Sequence, residues 1–388
     1  ANSNTAVGNS SLGSNTTGAY NVALGQNAGL NNTTGGDIVA VGYGALAANT
    51  TANSNTGVGT NALNANTTGT ANTAVGRRAL YVSTEGDSNT AVGYNALDAN
   101  TTADDNTAVG AYALGAATTG DENTAVGSQA GLSITTGVHN TAIGHEALED
   151  ATTTNNNVAV GYRALADTDA SGNVGVGYAA VTANTSGTGL VGIGNNALGA
   201  NTTGDNNTAV GEDAGGAVTT GANNLFLGKD AGLSGSPGGA ITTGSNEIVL
   251  GDENITEAHI QVDWTVASDK RDKTDVEQLE LGLDFINQLV PVTYRWDKRS
   301  LYSEDQSIIP DGTHKEEQLD GGFLAQDVQA LEAQYGYKVE DKTNLITNIS
   351  EDGQMYGIKY SKLVPMLTKA IQELSSKVEE LEKIIETK

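Results

Sequence analysis

Apolar residues in the first two thirds of this chain come in short, evenly spaced groups rather than in runs. Val, Ile or Leu sits one residue before a glycine, and an Ala-Leu pair usually follows that glycine by three and four residues. Gly8, Gly25, Gly42, Gly59, Gly76, Gly93, Gly110, Gly127, Gly144 and Gly161 lie 17 residues apart. Gly177 comes one residue early, and Gly194, Gly211 and Gly228 resume the period. These fourteen units share a consensus close to N-T-A-V-G-x-x-A-L-x-A-N-T-T-G-x-x. Asn stands four residues before the Gly in twelve of them, and Ala three residues after it in thirteen. A fifteenth unit, ending at Gly251, follows a six-residue insertion around Pro237.

A fixed period sustained this long marks a stacked architecture. One unit offers too little apolar area to fold alone, but stacked units cover one another. "TAVG" and "AL" are too short for helices and "NTTG" is a turn signal. Each unit therefore reads as one coil of two short strands with tight corners, the Gly marking a bend where a Cβ would not fit. Asn and Thr would stack into hydrogen-bonded ladders along the axis. At about 4.8 Å per rung, fourteen coils give a rod of roughly 70 Å.

After Gly251 the pattern changes. Residues 255–266 alternate apolar and polar positions, with Trp264 among them, and read as extended chain. Val276, Leu279, Leu283, Ile286 and Leu289 have helical spacing, ended by Pro291. Residues 292–297 then read as a strand, 322–336 as a second helix, and 345–360 as a hairpin with an Asp-Gly turn. From Ser361, Val364, Leu367, Ile371, Leu374, Val378, Leu381 and Ile385 alternate in steps of three and four, the seam of a coiled coil ending a helix over 361–386. β-Branched a positions with Leu at d favour two strands by rule. The domain reading is a repeat stem over 1–251, a β linker over 252–267 and a small α+β domain over 268–388.

Charge sharpens that boundary. Residues 1–267 carry 22 acids and four bases, residues 268–388 carry 24 acids and 15 bases, and the whole chain has a net charge of −27. Such a surface disfavours nucleic acid and anionic membranes. No run approaches a transmembrane helix, and no signal peptide is visible. With no Cys, disulfides, thiolate metal sites and a Cys nucleophile are excluded. The chain starts at Ala1, inside a repeat and without Met, as a fragment or processed product would, so an upstream attachment region is expected.

The stem offers little chemistry. His139 and His145 lie in neighbouring units, but no carboxylate recurs beside them in a ligand pattern, and nothing matches a calcium-binding nonapeptide, so no metal or cofactor is expected. Tyr43, Tyr94 and Tyr162 directly follow the repeat Gly and are candidates for one shared face, with Tyr112 and Tyr178 nearby. A glycan-degrading stem would need paired carboxylates in a groove, and no pair recurs. An ice- or surface-binding solenoid would need a flat Thr face, whereas the recurrent "TT" lies beside Gly in an expected turn.

"NTAVG", "NNTAVG" and "NTAIG" resemble the head repeats of trimeric autotransporter adhesins and related phage tail-fibre repeats. The resemblance implies a left-handed parallel β-roll or prism built by three chains, whose small Ala and Val side chains share one axial core.

The C-terminal region resembles the endosialidase-type intramolecular chaperone, a self-cleaving serine peptidase at the end of phage tailspikes and fibres. "SDKRDK" (268–273), "VPVTYRW" (290–296), "GGFLAQDVQ" (321–329), "YGIKYSKLVPML" (356–367) and the final helix carry that resemblance. The family motif Ser-Asp-x-Arg-x-Lys implies a nucleophile at Ser268, a partner at Lys273 and a cut between Ala267 and Ser268. The chemistry is coherent: a serine hydroxyl needs a base, and Lys serves only as the neutral amine. Burial or nearby cations would lower its pKa, and Lys270 and Arg271 are close in sequence. Asp269 and Arg271 read as loop-holding residues. On spacing alone, the same stretch reads as a solvated helix start with Ser268 as an N-cap.

The resulting expectation is a homotrimeric fibre or adhesive appendage of a virion tail. It would bind a host cell-surface receptor, glycan or protein, and be joined to a tail protein or attachment domain upstream. The C-terminal domain would set the register of three repetitive chains and then be removed by a Ser-Lys dyad. The alternative is a bacterial surface adhesin or surface-binding solenoid with an uncleaved trimerising cap.

Overall fold

In the computed structural model, which describes residues 3–261, 264–303, 308–351 and 353–387, the chain forms two compact units. The first comprises residues 1–233 and 241–251, the second residues 234–240 and 252–388.

The first unit is a parallel β-solenoid. Among the described residues it has fifteen strands of three residues, from β1 (Thr5–Val7) to β15 (Ile248–Leu250), paired in sequence order in one parallel sheet. The register advances by one repeat per strand, so that Thr90, Ala91 and Val92 pair with Thr107, Ala108 and Val109. The coil around Gly110 shows why the consensus folds this way. Ala108, at the centre of its strand, is buried, whereas Val109 faces out. Gly110 then bends with φ +143°, and a Cβ there would lie 2.2 Å from the carbonyl oxygen of Gly127 in the next coil. Only glycine allows the coils to approach so closely.

Two polar ladders fasten one coil to the next. The buried Asn106 donates through Nδ2 to the Gly120 carbonyl at 2.8 Å, and its Oδ1 accepts from the backbone N–H of Asn123 at 2.9 Å. Thr118 donates through its hydroxyl to the Thr135 carbonyl at 3.1 Å. The repeated Asn thus satisfies buried backbone groups at a corner where the sheet cannot.

The second half of the coil departs from expectation. The Ala-Leu segment is a turn and not a second strand, because Ala113 and Leu114 are adjacent and both fully buried. A strand would send them to opposite faces. Leu114 takes a left-handed backbone instead, φ +48°, as do Leu46, Leu63, Leu80, Leu97 and Leu148. That conformation costs about 1 kcal/mol, less than the roughly 2 kcal/mol or more gained by burying a leucine. Ala and Leu are enclosed within a single chain's coil, and Val lies on the outside.

In the second unit the long helix expected over 274–289 shrinks to α1 (Leu283–Ile286). Val276 is exposed and has nothing to pack on, so the costly first turns of a helix there gain no tertiary support. Gly282 marks the break. A Cβ on it would meet the carboxylate of Glu373, which accepts a 2.7 Å hydrogen bond from the N–H of Leu283 and caps α1. Residues 255–261 and 264–266 form no strand, and Val262 and Asp263 lie outside the described residues.

The other elements follow their pattern. β16 (Val292–Tyr294) pairs antiparallel with β17 (Asp320–Gly322), α2 spans Ala325–Gln334, and β18 (Thr347–Ile349) and β19 (Tyr356–Ile358) form the hairpin. Asp352, of the expected Asp-Gly turn, lies outside the described residues. Leu281, Phe285, Val328, Leu331, Ile346, Leu363 and Met366 build the core. Glu332 is buried beside it and accepts four hydrogen bonds, from the N–H groups of Leu345, Ile346 and Thr347 and from the Thr347 hydroxyl. The last helix, α3 (Leu363–Glu386), buries Leu363, Met366 and Ala370. All seven residues of the expected seam, Val364 to Ile385, are exposed.

Candidate active site

The segment that opens with Ser268 is held by a single turn. Asp269 has extended backbone and accepts from the N–H of Arg271 at 2.9 Å, which starts a short 3-10 turn over Lys270–Asp272. The Lys273 N–H closes the turn on the Lys270 carbonyl. Arg271 folds back onto the same carboxylate, Nη2 to Oδ2 at 2.6 Å and Nε to Oδ1 at 3.1 Å. This fork holds the Asp269 carboxyl below its usual range and raises the Arg271 guanidinium.

The turn brings the first and sixth residues of "SDKRDK" together. Lys273 Nζ lies 2.6 Å from Ser268 Oγ, within hydrogen-bonding distance. Asp269 and Arg271 bond to each other and hold the backbone between them. Arg271 is therefore paired with Asp269, and Lys270 is the other cation within the turn. Residues 264–278 are all exposed in the single chain, so neither Ser268 nor Lys273 is desolvated by its own domain. Ala267, on the other side of the expected scissile bond, is also exposed.

Residues 268–337 match the chaperone of endosialidase family. The match begins at Ser268 itself and spans the 3-10 turn, α1, β16, β17 and α2. The hairpin and α3 lie beyond it. The family is one of self-cleaving intramolecular chaperones of serine-peptidase type. No curated protein and no solved structure matches the chain.

Sequence reading missed two carboxylates that fix this chaperone-like region. Glu332 ties α2 to β18, and Glu373 ties α3 to α1. Both lie in helical patterns that look like ordinary solvated faces, and only the fold shows their backbone partners.

In the stem, residues that follow the repeat Gly form rows along one edge. Tyr162 stacks between His145 and Tyr178 with ring centroids 5.6 and 5.3 Å away. Arg77 and Tyr94 continue the pattern, the guanidinium lying over the Tyr94 ring at 5.4 Å, and Tyr112, two residues after Gly110, meets Tyr94 edge-on. In the stacked row the faces of Tyr162 are turned to its neighbours, so the row braces consecutive coils. His139 and His145 pair with Glu122 and Glu146, and no group of three or more His, Cys, Asp or Glu among the described residues could hold a metal ion. No helix among them is long and apolar enough to cross a membrane.

Proposed function

We propose that the chain is the subunit of a homotrimeric tail fibre or similar adhesive appendage of a virion, whose C-terminal unit directs assembly and then cuts itself off between Ala267 and Ser268. The observation that carries this reading is the 2.6 Å contact between Lys273 Nζ and Ser268 Oγ at the first residue of the family match.

The chemistry closes with one water. Lys273, as the neutral amine, takes the Ser268 hydroxyl proton while Oγ attacks the Ala267 carbonyl carbon. The C–N bond breaks, the proton passes to the departing nitrogen, and an ester links Ala267 to Ser268 Oγ. Water then hydrolyses the ester, releasing residues 1–267 with a new carboxylate and residues 268–388 with a free amino terminus. Turnover is single, because the substrate is the chain itself.

Exposure of both side chains in one subunit gives the reaction a trigger. A solvated ammonium cannot accept the hydroxyl proton, and desolvation is what neutralises a lysine. Neighbouring subunits supply that cover, so cleavage follows assembly. The exposed seam of α3 is the feature through which subunits meet. A repetitive stem can slip by one coil and keep most of its contacts, and a globular domain at one end fixes the register. Removing it afterwards leaves the stem kinetically trapped.

Intact-mass measurement of the chain and of Ser268→Ala tests the proposal. Fragments of 1–267 and 268–388 from the parent, with the variant whole, support it. If the folded parent stays whole as well, the second unit is a permanent cap and Ser268 only a turn residue.

A further inference from the structure

Residues 1–267 carry four bases among 22 acids, and the four are Arg77, Arg78, Arg163 and Lys229. Three of them pair with a carboxylate: Arg78 with Asp98 at 3.3 Å, Arg163 with Asp167 at 3.4 Å and Lys229 with Asp230 at 3.0 Å. Arg77 is exposed and has no such partner among the described residues. Its guanidinium lies over the Tyr94 ring, and Nη1 donates to the Tyr94 hydroxyl at 3.3 Å. The one cation of the stem without an acid is thus held flat against an aromatic ring.

A second ring stands beside the first. Tyr112 meets Tyr94 with centroids 5.2 Å apart and planes at 80°, and is 41% exposed. In an edge-to-face pair, whichever ring supplies the edge, Tyr112 keeps at least one face that Tyr94 does not cover. The Tyr162 row differs, because both faces of its middle ring are taken. Asp98 lies near enough to act on Tyr112, but Arg78 neutralises it while stacking over Tyr81 at 4.4 Å. Tyr112 also has a left-handed backbone, φ +60°, at a place where other coils put Asn61, Asn95 and Asn196. Asn adopts that conformation more readily than a bulky residue, so backbone preference does not account for a tyrosine here.

We propose that Arg77, Tyr94 and Tyr112 form a binding site for a carbohydrate chain whose sugar rings carry carboxylates, of the uronic-acid class. The inference rests on the adhesive reading above and names its ligand class and its place on the stem. A guanidinium stacked on a ring keeps its N–H edge free for a two-pronged grip on a carboxylate. The uncovered face of Tyr112 offers an apolar plane to the C–H face of a sugar. Arg77 and Tyr112 lie two coils apart, about 10 Å along the axis, which suits a chain of sugars better than a single one. Charge selects the class. Nucleic acid, charged at every phosphate, needs a run of cations, whereas one arginine answers one carboxylate. The remaining surface, with a net charge of −18 for residues 1–267, repels a polyanion and confines it to this patch.

Calorimetric titration of the full chain tests the site. The probes are oligosaccharides of galacturonate, alginate and hyaluronan, with dextran oligosaccharides as the neutral comparison and oligoglutamate as the acidic peptide. Native mass of the same samples reports assembly independently. Arg77→Thr and Tyr112→Asn install residues that the fold already holds at the equivalent Thr60 and Asn95, so both variants should fold. The expected result is binding of a carboxylated sugar, weakened by salt, with no binding of dextran. Arg77→Thr should weaken it at least about tenfold and Tyr112→Asn about fivefold, while Tyr43→Thr, elsewhere in the same row, leaves it unchanged. Dextran or oligoglutamate bound in place of the carboxylated sugars would overturn the ligand class and leave the stem adhesive. An assembled parent that binds no carboxylated sugar, or whose binding survives both substitutions, would overturn the site. A parent that does not assemble would overturn the fibre reading and this inference with it.

Discussion

Gly110 and Gly127 stand so close that a single added carbon on the first would lie 2.2 Å from the carbonyl oxygen of the second. The same contact recurs along the stem, for example between Gly93 and Gly110 and between Gly127 and Gly144. Gly110→Ala combines this collision with a φ of +143° and should cost about 2–4 kcal/mol. Gly172→Ala, where nothing lies within 4 Å, should cost only about 1 kcal/mol for its backbone. Thermal melts of both variants check the difference; equal melting temperatures would contradict it.

The Asn ladder supports a graded prediction. Asn106→Ala removes the bond to the Gly120 carbonyl, leaves the Asn123 N–H without its side-chain acceptor, and opens a void. The loss should be about 2–4 kcal/mol. Asn106→Ile should be milder, because Ile38 and Leu190 occupy the equivalent position and are fully buried. Denaturant midpoints would order parent, Ile variant and Ala variant.

In the second unit, Glu332 is the residue most sensitive to change. Glu332→Ala leaves three backbone N–H groups and a hydroxyl without their acceptor and should cost about 3 kcal/mol or more, with Glu332→Gln intermediate. Hydrogen exchange localised to residues 345–347 is the readout. Uniform loss of protection across the unit would instead indicate global unfolding.

Glu373 gives the unit a pH dependence of defined sign. The Leu283 N–H, and then Lys369, hold its carboxyl below the ordinary value of 4.5. A carboxyl depressed in the folded state contributes stability that is full above its unfolded value and is lost as pH falls through the folded value. Acid should therefore loosen the contact between α1 and α3 below about pH 4.5, and Glu373→Gln should flatten that part of the profile. An unchanged profile in the variant would assign the acid sensitivity to other carboxylates.

Cleavage should separate the dyad from its supports. Ser268→Ala and Lys273→Ala should abolish it, and Lys273→Arg should not restore it, because a guanidinium does not give up its proton. Asp269→Ala should slow cleavage several-fold without ending it, since the Asp269–Arg271 fork shapes the turn but stands outside the proposed proton path. Time courses of fragment release distinguish the cases. A Lys273→Arg variant that cleaves normally would remove the general-base role.

Much of this was legible in the sequence, for a physical reason. A period of 17 residues forces every coil into one solution, so the sheet, its Gly bends and its Asn rungs follow from the repeat. The left-handed Leu114 did not, because nothing in an Ala-Leu pair reveals that both side chains face inward. Nor did the outward rank of Val, which by composition reads as core. In the second unit the apolar spacing around Val276 suggested a helix with no surface to pack on, and Glu373, ninety residues beyond Leu283, supplied the cap. "SDKRDK" pointed to Ser268 and Lys273 through resemblance. Its exposure in the single chain was invisible until the fold was known.

Assembly followed by self-cleavage is tested most directly by the native mass of the folded parent protein after its assembly is complete. That mass should be the mass of three copies of residues 1–267, with residues 268–388 released. A single-copy stem, or a stem still joined to its C-terminal unit, would contradict it.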